Sequence, residues 1–298
     1  MRGLVIAIVV LLGCQATLEA RDIYVANLGG DDRNEGTQER PQPDAGPVQT
    51  IERALCLALP GDRIVLTNTG VPYHESIGLS AWHHSGSPVM PLVIDGRGAT
   101  LDGSQPVPQG AWRSHFGAVL AFDPPRKSAQ QLFQNGRPLV RRPIVSAEGR
   151  LPQLAPLEWC LHRGTIYFCA EDGVLPDDAG LSYASLPVGI TLYHVHDVII
   201  TNLTVQGFQL DGVNAHDGVL RCRLAEVTMR GNGRSGLTVA GSSKLELNAC
   251  VIGDNGAAQV RTEALGLASI VGSHLIDTTA PAVVKRGGIV FLDGVRQP

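Results

Sequence analysis

Within Asp211-Gly-Val-Asn-Ala-His-Asp217 an imidazole, an amide and two carboxylates fall inside seven residues. A repeat in the second half of the chain sets other polar groups against this stretch. With a column of valines as reference, Asn214 lines up with Arg261 and Lys285, His216 with Glu263, and Ala215 with Arg286. Adjacent coils of a stacked β structure lie ~4.8 Å apart, so groups two coils away sit within ~10 Å. A histidine, a carboxylate, arginines and a lysine then converge on one face. These groups suit abstraction of a proton α to a uronate carboxyl and stabilisation of the resulting enolate. In that chemistry His216 is the acid/base, Glu263 or Asp217 orients it, and Arg261 and Lys285 pair with the substrate carboxylate. Asp211, Asn214 and Arg286 complete the substrate-binding set. The alternative is an ordinary solvated polar face.

Other motifs carry less. Gly231-Asn-Gly-Arg-Ser-Gly236 matches GxGxxG, but a dinucleotide loop needs a helix behind it, and LTVAGSS reads as strand and turn. His194-Val-His196 lacks a third ligand on the next coil and His83-His84 lacks partners, so both read as turn histidines and no metal site is expected. No Asp/Glu pair recurs at glycosidase separation, which argues against two-carboxylate hydrolysis. No cofactor is expected, and calcium has no ligand cluster to support it. Cys56, Cys222 and Cys250 lack zinc spacing. Cys160 and Cys169 flank a hairpin turning near Arg163-Gly164; a cross-strand disulfide and two free buried thiols both fit. Asn202 and Asn248 share a column, as in an internal asparagine ladder. Arg141-Arg142 reads as a solvated edge that deters aggregation, with a substrate clamp as the alternative.

The elements that must position these groups follow from composition and period. The chain has 298 residues, 44% hydrophobic and 17% charged, with 35 Gly, 19 Pro, 5% aromatics and a net charge of −4. This excludes disorder, coiled coils and a helical bundle, and without a basic run nucleic acid is not an expected partner. Segments starting at Asn202, Glu226, Asn248 and Gly272 repeat at 24, 22 and 24 residues. Thr204, Thr228, Cys250 and His274 form one column; Val213, Val239, Val260 and Val284 form another. A period in the low twenties, with short strands and Gly/Asn/Asp turns but no intervening helix, marks a coiled solenoid. The expected class is all-β, a right-handed parallel β-helix. Ahead of it, VQTIERALCLALPGD has helical spacing from Val48 to Leu59 and stops at Pro60-Gly61, an amphipathic cap over the first coil.

These segments also carry a resemblance. IYV, a Gly/Asp loop, EGT, VQTIERAL, LPGDRIVL, VPYHESI and PLVIDGRGATLDG occur in one order from Arg21 to Gly103. That order resembles secreted right-handed parallel β-helix proteins of the pectate-lyase-like superfold, and the likeness resumes near Gly189. The Asp211–Asp217 stretch is similar to the catalytic segment of β-helix mannuronan epimerases, Tyr-Gly-Phe-Asp-Pro-His-Glu. The resemblance assigns His216 to the catalytic histidine and Asp217 to its acidic follower. Asp211 stands where that family has tyrosine, and Asn214 where it has the catalytic aspartate. The expected activity is lyase- or epimerase-like, on an acidic polysaccharide; the alternative is a non-catalytic carbohydrate-binding or structural surface module.

The first 20 residues read as an export signal. Met1-Arg2-Gly3 precedes an apolar run from Leu4 to Leu12, far short of the ~20 residues of a spanning helix. Leu11-Leu12-Gly13-Cys14 resembles a lipobox, which makes Cys14 a lipid anchor; Leu18-Glu19-Ala20 is the competing cleavage site. The expected partition is 21–123 for the cap and first coils, 124–187 for a β-hairpin insertion and 188–298 for the C-terminal coils. The expected product is an exported monomer, extracellular or periplasmic.

Overall fold

The computed structural model describes residues 20–42, 45–145 and 150–298. The leader segment with Cys14 lies outside them. Short strands rich in Val, Ile and Leu pair in parallel, coil upon coil. One face runs through Asp22–Val25, Arg63–Leu66, Leu92–Asp102, Val198–Gln206, Cys222–Ala225 and Lys244–Asn248. A second continues the long strands through Thr228–Arg230, Val251–Gly253 and His274–Leu275. The third consists of β1 (Ile77–Ser80), β2 (Ile190–Tyr193), β3 (Asp211–Asp217), β4 (Ser235–Val239), β5 (Ala258–Val271) and β6 (Val283–Leu292). The chain is a right-handed parallel β-helix with one continuous aliphatic core.

The cap forms as the pattern predicts, only shorter. Helix α1 spans Ile51–Leu57; Thr50 caps it by accepting from the Arg53 N–H, and Glu75 accepts the N–H groups of Ile51 and Glu52. Ile51, Ala54 and Leu55 are buried against the first coil.

Register departs from the valine column. Val213 pairs with Leu237, Leu237 with Val260, and Val260 with Val283, at steps of 24, 23 and 23. Val239 faces the core two residues further along, so slipping by two preserves the pattern. Val284 is one residue off, and a one-residue slip turns a side chain to the other face. Likewise Val251, rather than Cys250, pairs with Thr228.

The ladder also lies elsewhere. Asn202 occupies a bend whose column continues with Glu226 and Ala249, all at positive φ of 52–56°. Asn248 pairs with Ala225 and Val271, so the two asparagines never stack. The buried ladder is Asn232–Asn255–Gln259, each wholly enclosed. Asn232 accepts from the Phe208 N–H, Asn255 accepts from the Asn232 N–H and amide, and Gln259 accepts from the Asn255 amide. It satisfies turn groups that stacking would otherwise strand without partners.

Residues 104–184 leave the solenoid to build two small sheets. One joins Arg113–Phe116, Val119–Phe122, Val140–Arg141, Glu158–His162 and Thr165–Cys169; the other joins Ser104–Pro106, Leu132–Gln134, Arg137–Pro138 and Leu181–Ala184. This insertion has its own aromatic core around Trp159, Phe122, Phe168 and Tyr183. It docks on the ladder turns so closely that a methyl at Gly233 would meet the Gln130 nitrogen at 3.0 Å and the Ala129 carbonyl carbon at 3.1 Å. Its hairpin turns at Arg163-Gly164 and sets Cys160 opposite Tyr167, so Cys160 and Cys169 are both free thiols, with Cys160 pushed up to about 11 by burial.

Two measurements check these anchors. Asn255→Ala strands two ladder partners and should cost about 2 kcal/mol in urea unfolding, whereas half-buried Asn248→Ala should stay within ~0.5 kcal/mol. Asp197, buried and in a left-handed bend, accepts both Arg221 nitrogens at 2.8 Å and His196 Nδ1. The Arg221 bonds, then His196, hold its carboxyl down to about 2. Its contribution is full above the ordinary carboxylate range near ~3.9 and is lost as pH falls toward 2. Asp197→Ala should therefore be less stable than wild type at pH 7, with the gap closing in acid.

Candidate functional site

The third face makes a polar floor over an apolar lining. Along β3, β4 and β5 the core takes Val213 and Ala215, Leu237 and Val239, and Val260. By strand alternation the outward column is Thr191, Asn214, Thr238 and Arg261. Outward does not mean open here. Thr238 is 1% exposed and the Arg261 side chain 11%.

Arg234 organises one end of this floor. It leaves the Gly231–Gly236 turn just ahead of β4 and grips Asp211 through both Nε, at 2.9 Å, and Nη2. Ser235 donates to the same carboxylate at 2.6 Å and meets Thr238 Oγ1 at 2.8 Å. Asp211 is wholly buried, so it positions Arg234 and is closed to a polymer at the surface. The Oδ1 of neighbouring Asn214 is shielded from water and lacks a donor among the described residues. On β5, Arg261 donates to Glu263; that bond, with the charges of Arg234 and Arg286 nearby, holds the Glu263 carboxyl below its usual range. Arg286, exposed, pairs with Glu263 in register on β6.

The other end carries rings. His216 is exposed and lies 5.7 Å from the Tyr193 ring on the preceding coil, and Tyr193 in turn meets His194 at 4.2 Å. Asp217 turns away from His216: it accepts from the Ser242 N–H at 2.8 Å and hydroxyl at 3.0 Å, which hold its carboxyl below the usual carboxylate range, and lies 3.9 Å from His194 Nε2. Tyr193 pairs with Ser80, two residues ahead of Trp82, which is 91% exposed on the short helical turn Ala81–His84.

Of the residues marked in the sequence, His216, Asn214, Arg261, Glu263 and Arg286 belong to this face. Lys285 does not line up with Asn214: the one-residue shift sets it beside Thr262, and its Nζ donates to the Gln297 carbonyl. Glu263 and Asp217 are each engaged by other groups, and neither orients His216. Tyr193 and Arg234 were missed. Counting back one true period from Asp217 reaches Tyr193, and Arg234 sat inside the GxGxxG turn set aside as structural.

No family model and no curated protein matches the sequence. Among solved structures the chain is similar to a glycoside hydrolase, with TM-score 0.62 and 12% identity over 85% of this chain and 73% of the other. XylC in complex with xylose gives TM-score 0.44 and 12% identity over 91% and 70% of the two chains. Pectate lyase Pel9A gives 0.44 and 16% identity over 85% and 53%. What the chain shares with the glycoside hydrolase is the fold. At such identity the site must be argued from this chain's own residues.

Asp211→Ala should leave Arg234 without its counter-charge and lower stability by about 3 kcal/mol in urea unfolding. Tyr193→Phe, at an exposed ring, should change stability by less than ~0.5 kcal/mol.

Proposed function

We propose that this chain is a polysaccharide-active β-helix protein that binds an acidic polysaccharide along the outer face of β2–β6 and acts on it as a lyase or epimerase. One observation carries the reading: Arg234, Arg261 and Arg286 gather around Glu263 on the same face as the His216–Tyr193 pair. Three guanidinium groups against two carboxylates, Asp211 held by Arg234 and Glu263 held by Arg261, leave one net positive charge for a uronate. Glu263 and Asp217 are held ionised by their donors. They are poor proton donors at neutral pH, which disfavours two-carboxylate hydrolysis. His216 and Tyr193 are the exposed groups suited to carrying a proton.

In this mechanism the arginines hold the uronate carboxylate and stabilise charge as the α C–H bond breaks. The proton passes to His216 or Tyr193, and its electron pair enters the enolate. In elimination, the pair then forms the ring double bond as the adjacent C–O bond breaks, and the leaving oxygen is protonated by the partner group. In epimerisation a proton returns to the opposite face of the carbon. Trp82 offers a flat apolar face to a sugar ring at the edge of the groove. The leader supports an exported protein, extracellular or periplasmic, with Cys14 as its lipid anchor or Ala20 as its cleavage point.

A second reading rests on Asn214, a neutral amide on the floor where the similar epimerases carry the catalytic aspartate. It makes the same groove a non-catalytic binding module. Incubation with alginate, pectate and glycosaminoglycans, followed by unsaturated-uronate absorbance and product NMR, separates the two. The catalytic reading expects turnover on one polymer, reduced by about 100-fold or more in His216→Ala and Tyr193→Phe. Binding without turnover, retained in His216→Ala, identifies the module.

A further inference from the structure

Arg141 belongs to neither arrangement and is not the solvated edge its sequence suggested. Its neighbour Arg142 is an exposed partner of Glu158. Arg141 lies half-buried over the Trp159 ring, its guanidinium carbon 5.3 Å from the ring centre. Backbone pairing of Arg141 with Trp159 sets that stack, and the Trp159 Nε1–H is fixed by the Leu139 carbonyl. The guanidinium reaches across to the solenoid turn at Gly256, where a methyl would come within 3.4 Å of its Nη1. Among the described residues it has no hydrogen-bond or ion-pair partner, although every other arginine packed this deeply near the groove has one.

The space in front of it is a cleft of about 780 Å³ between insertion and solenoid, within the size range of small-ligand sites. Asp254 and Thr278 present polar groups to it, and Val140, Ile144 and Leu161 an apolar wall. A guanidinium pre-set on an aromatic face keeps its fork of donors in a fixed plane for a planar anion. Hydroxyl partners and an apolar wall beside it suit a sugar ring.

We infer that this cleft is a second anion site, in which Arg141 takes the carboxylate of a uronic-acid unit while Asp254 and Thr278 meet its hydroxyls. The inference deepens the proposed function and rests on it only for the ligand's being a saccharide. The turn at Gly256 runs directly into β5. Arg261 follows five residues later, about 16 Å along a strand, so one oligosaccharide can engage both cations. The insertion then serves as a second wall of the binding groove.

The test is calorimetric binding of a trigalacturonate and of its neutral counterpart, with a sulfated trisaccharide as third probe, to wild type, Arg141→Gln and Arg141→Lys. Wild type should bind the uronate trimer. Arg141→Gln should weaken it about tenfold or more while the weak neutral binding is unchanged, and Arg141→Lys should fall between, with melting temperatures of all three alike. Stronger binding of the sulfated probe, lost in the same variant, would reassign the site from carboxylate to sulfate ester. No binding by wild type, uronate affinity kept within twofold in Arg141→Gln, or equal losses for the neutral trimer would overturn it. Turnover plays no part in this readout, so the cleft can fail while groove catalysis stands, and the reverse.

Discussion

Coil-on-coil register at the Asn232–Asn255–Gln259 ladder is the constraint on which the rest depends. Asn232 hands a donor to Asn255 on the next coil, Asn255 to Gln259 within its own turn, and Gln259 to the Ala280 carbonyl of the coil beyond. The turn at Gly231–Gly236 launches Arg234 and β4, and the turn at Asp254–Ala257 launches β5 with Arg261 and Glu263. A slip of one residue here would turn the arginines toward the core and the aliphatic column toward water. The insertion docks on these same turns, so the ladder also fixes where Arg141 meets the solenoid.

That arrangement gives the two sides of the molecule separate tasks. The inside is a narrow aliphatic stack, dense with Val, Ile and Leu. Its large rings sit mainly in the insertion, which needs a core of its own because it leaves the stack. The outside carries the charge, with Arg234 paired to Asp211, Arg261 to Glu263, and Arg286 exposed beside Glu263 in register. Asp211, spent wholly on Arg234, shows how a buried carboxylate can position a surface cation without meeting a ligand.

Much of the fold was legible because period and turn chemistry act locally. Gly, Asn and Asp punctuate short strands, Thr50 and Pro60-Gly61 bracket the cap, and the amphipathic pattern of α1 is explicit. Phase was harder. Val239 and Leu237 are interchangeable as inward residues, which leaves the pattern intact, but Val283 and Val284 are adjacent, and taking the second as the inward one misplaces Lys285 by one residue. Asn202 and Asn248 looked like a ladder because asparagine suits both buried stacks and left-handed bends; only coordinates distinguish the roles. Tyr193 was invisible to motif reasoning because its partner His216 lies a full coil away in sequence. Arg141 looked solvated because nothing local announces that Trp159, from another strand, lies beneath it.

The central claim is that the outer face of β2–β6 receives an acidic saccharide between Arg234, Arg261 and Arg286, beside His216 and Tyr193. A crystal structure of the protein soaked with a hexauronate tests it most directly. The account predicts sugar carboxylates against these guanidinium groups, with a ring carbon facing the His216–Tyr193 pair. A chain bound on either of the other two faces of the solenoid, with this floor empty, would contradict it.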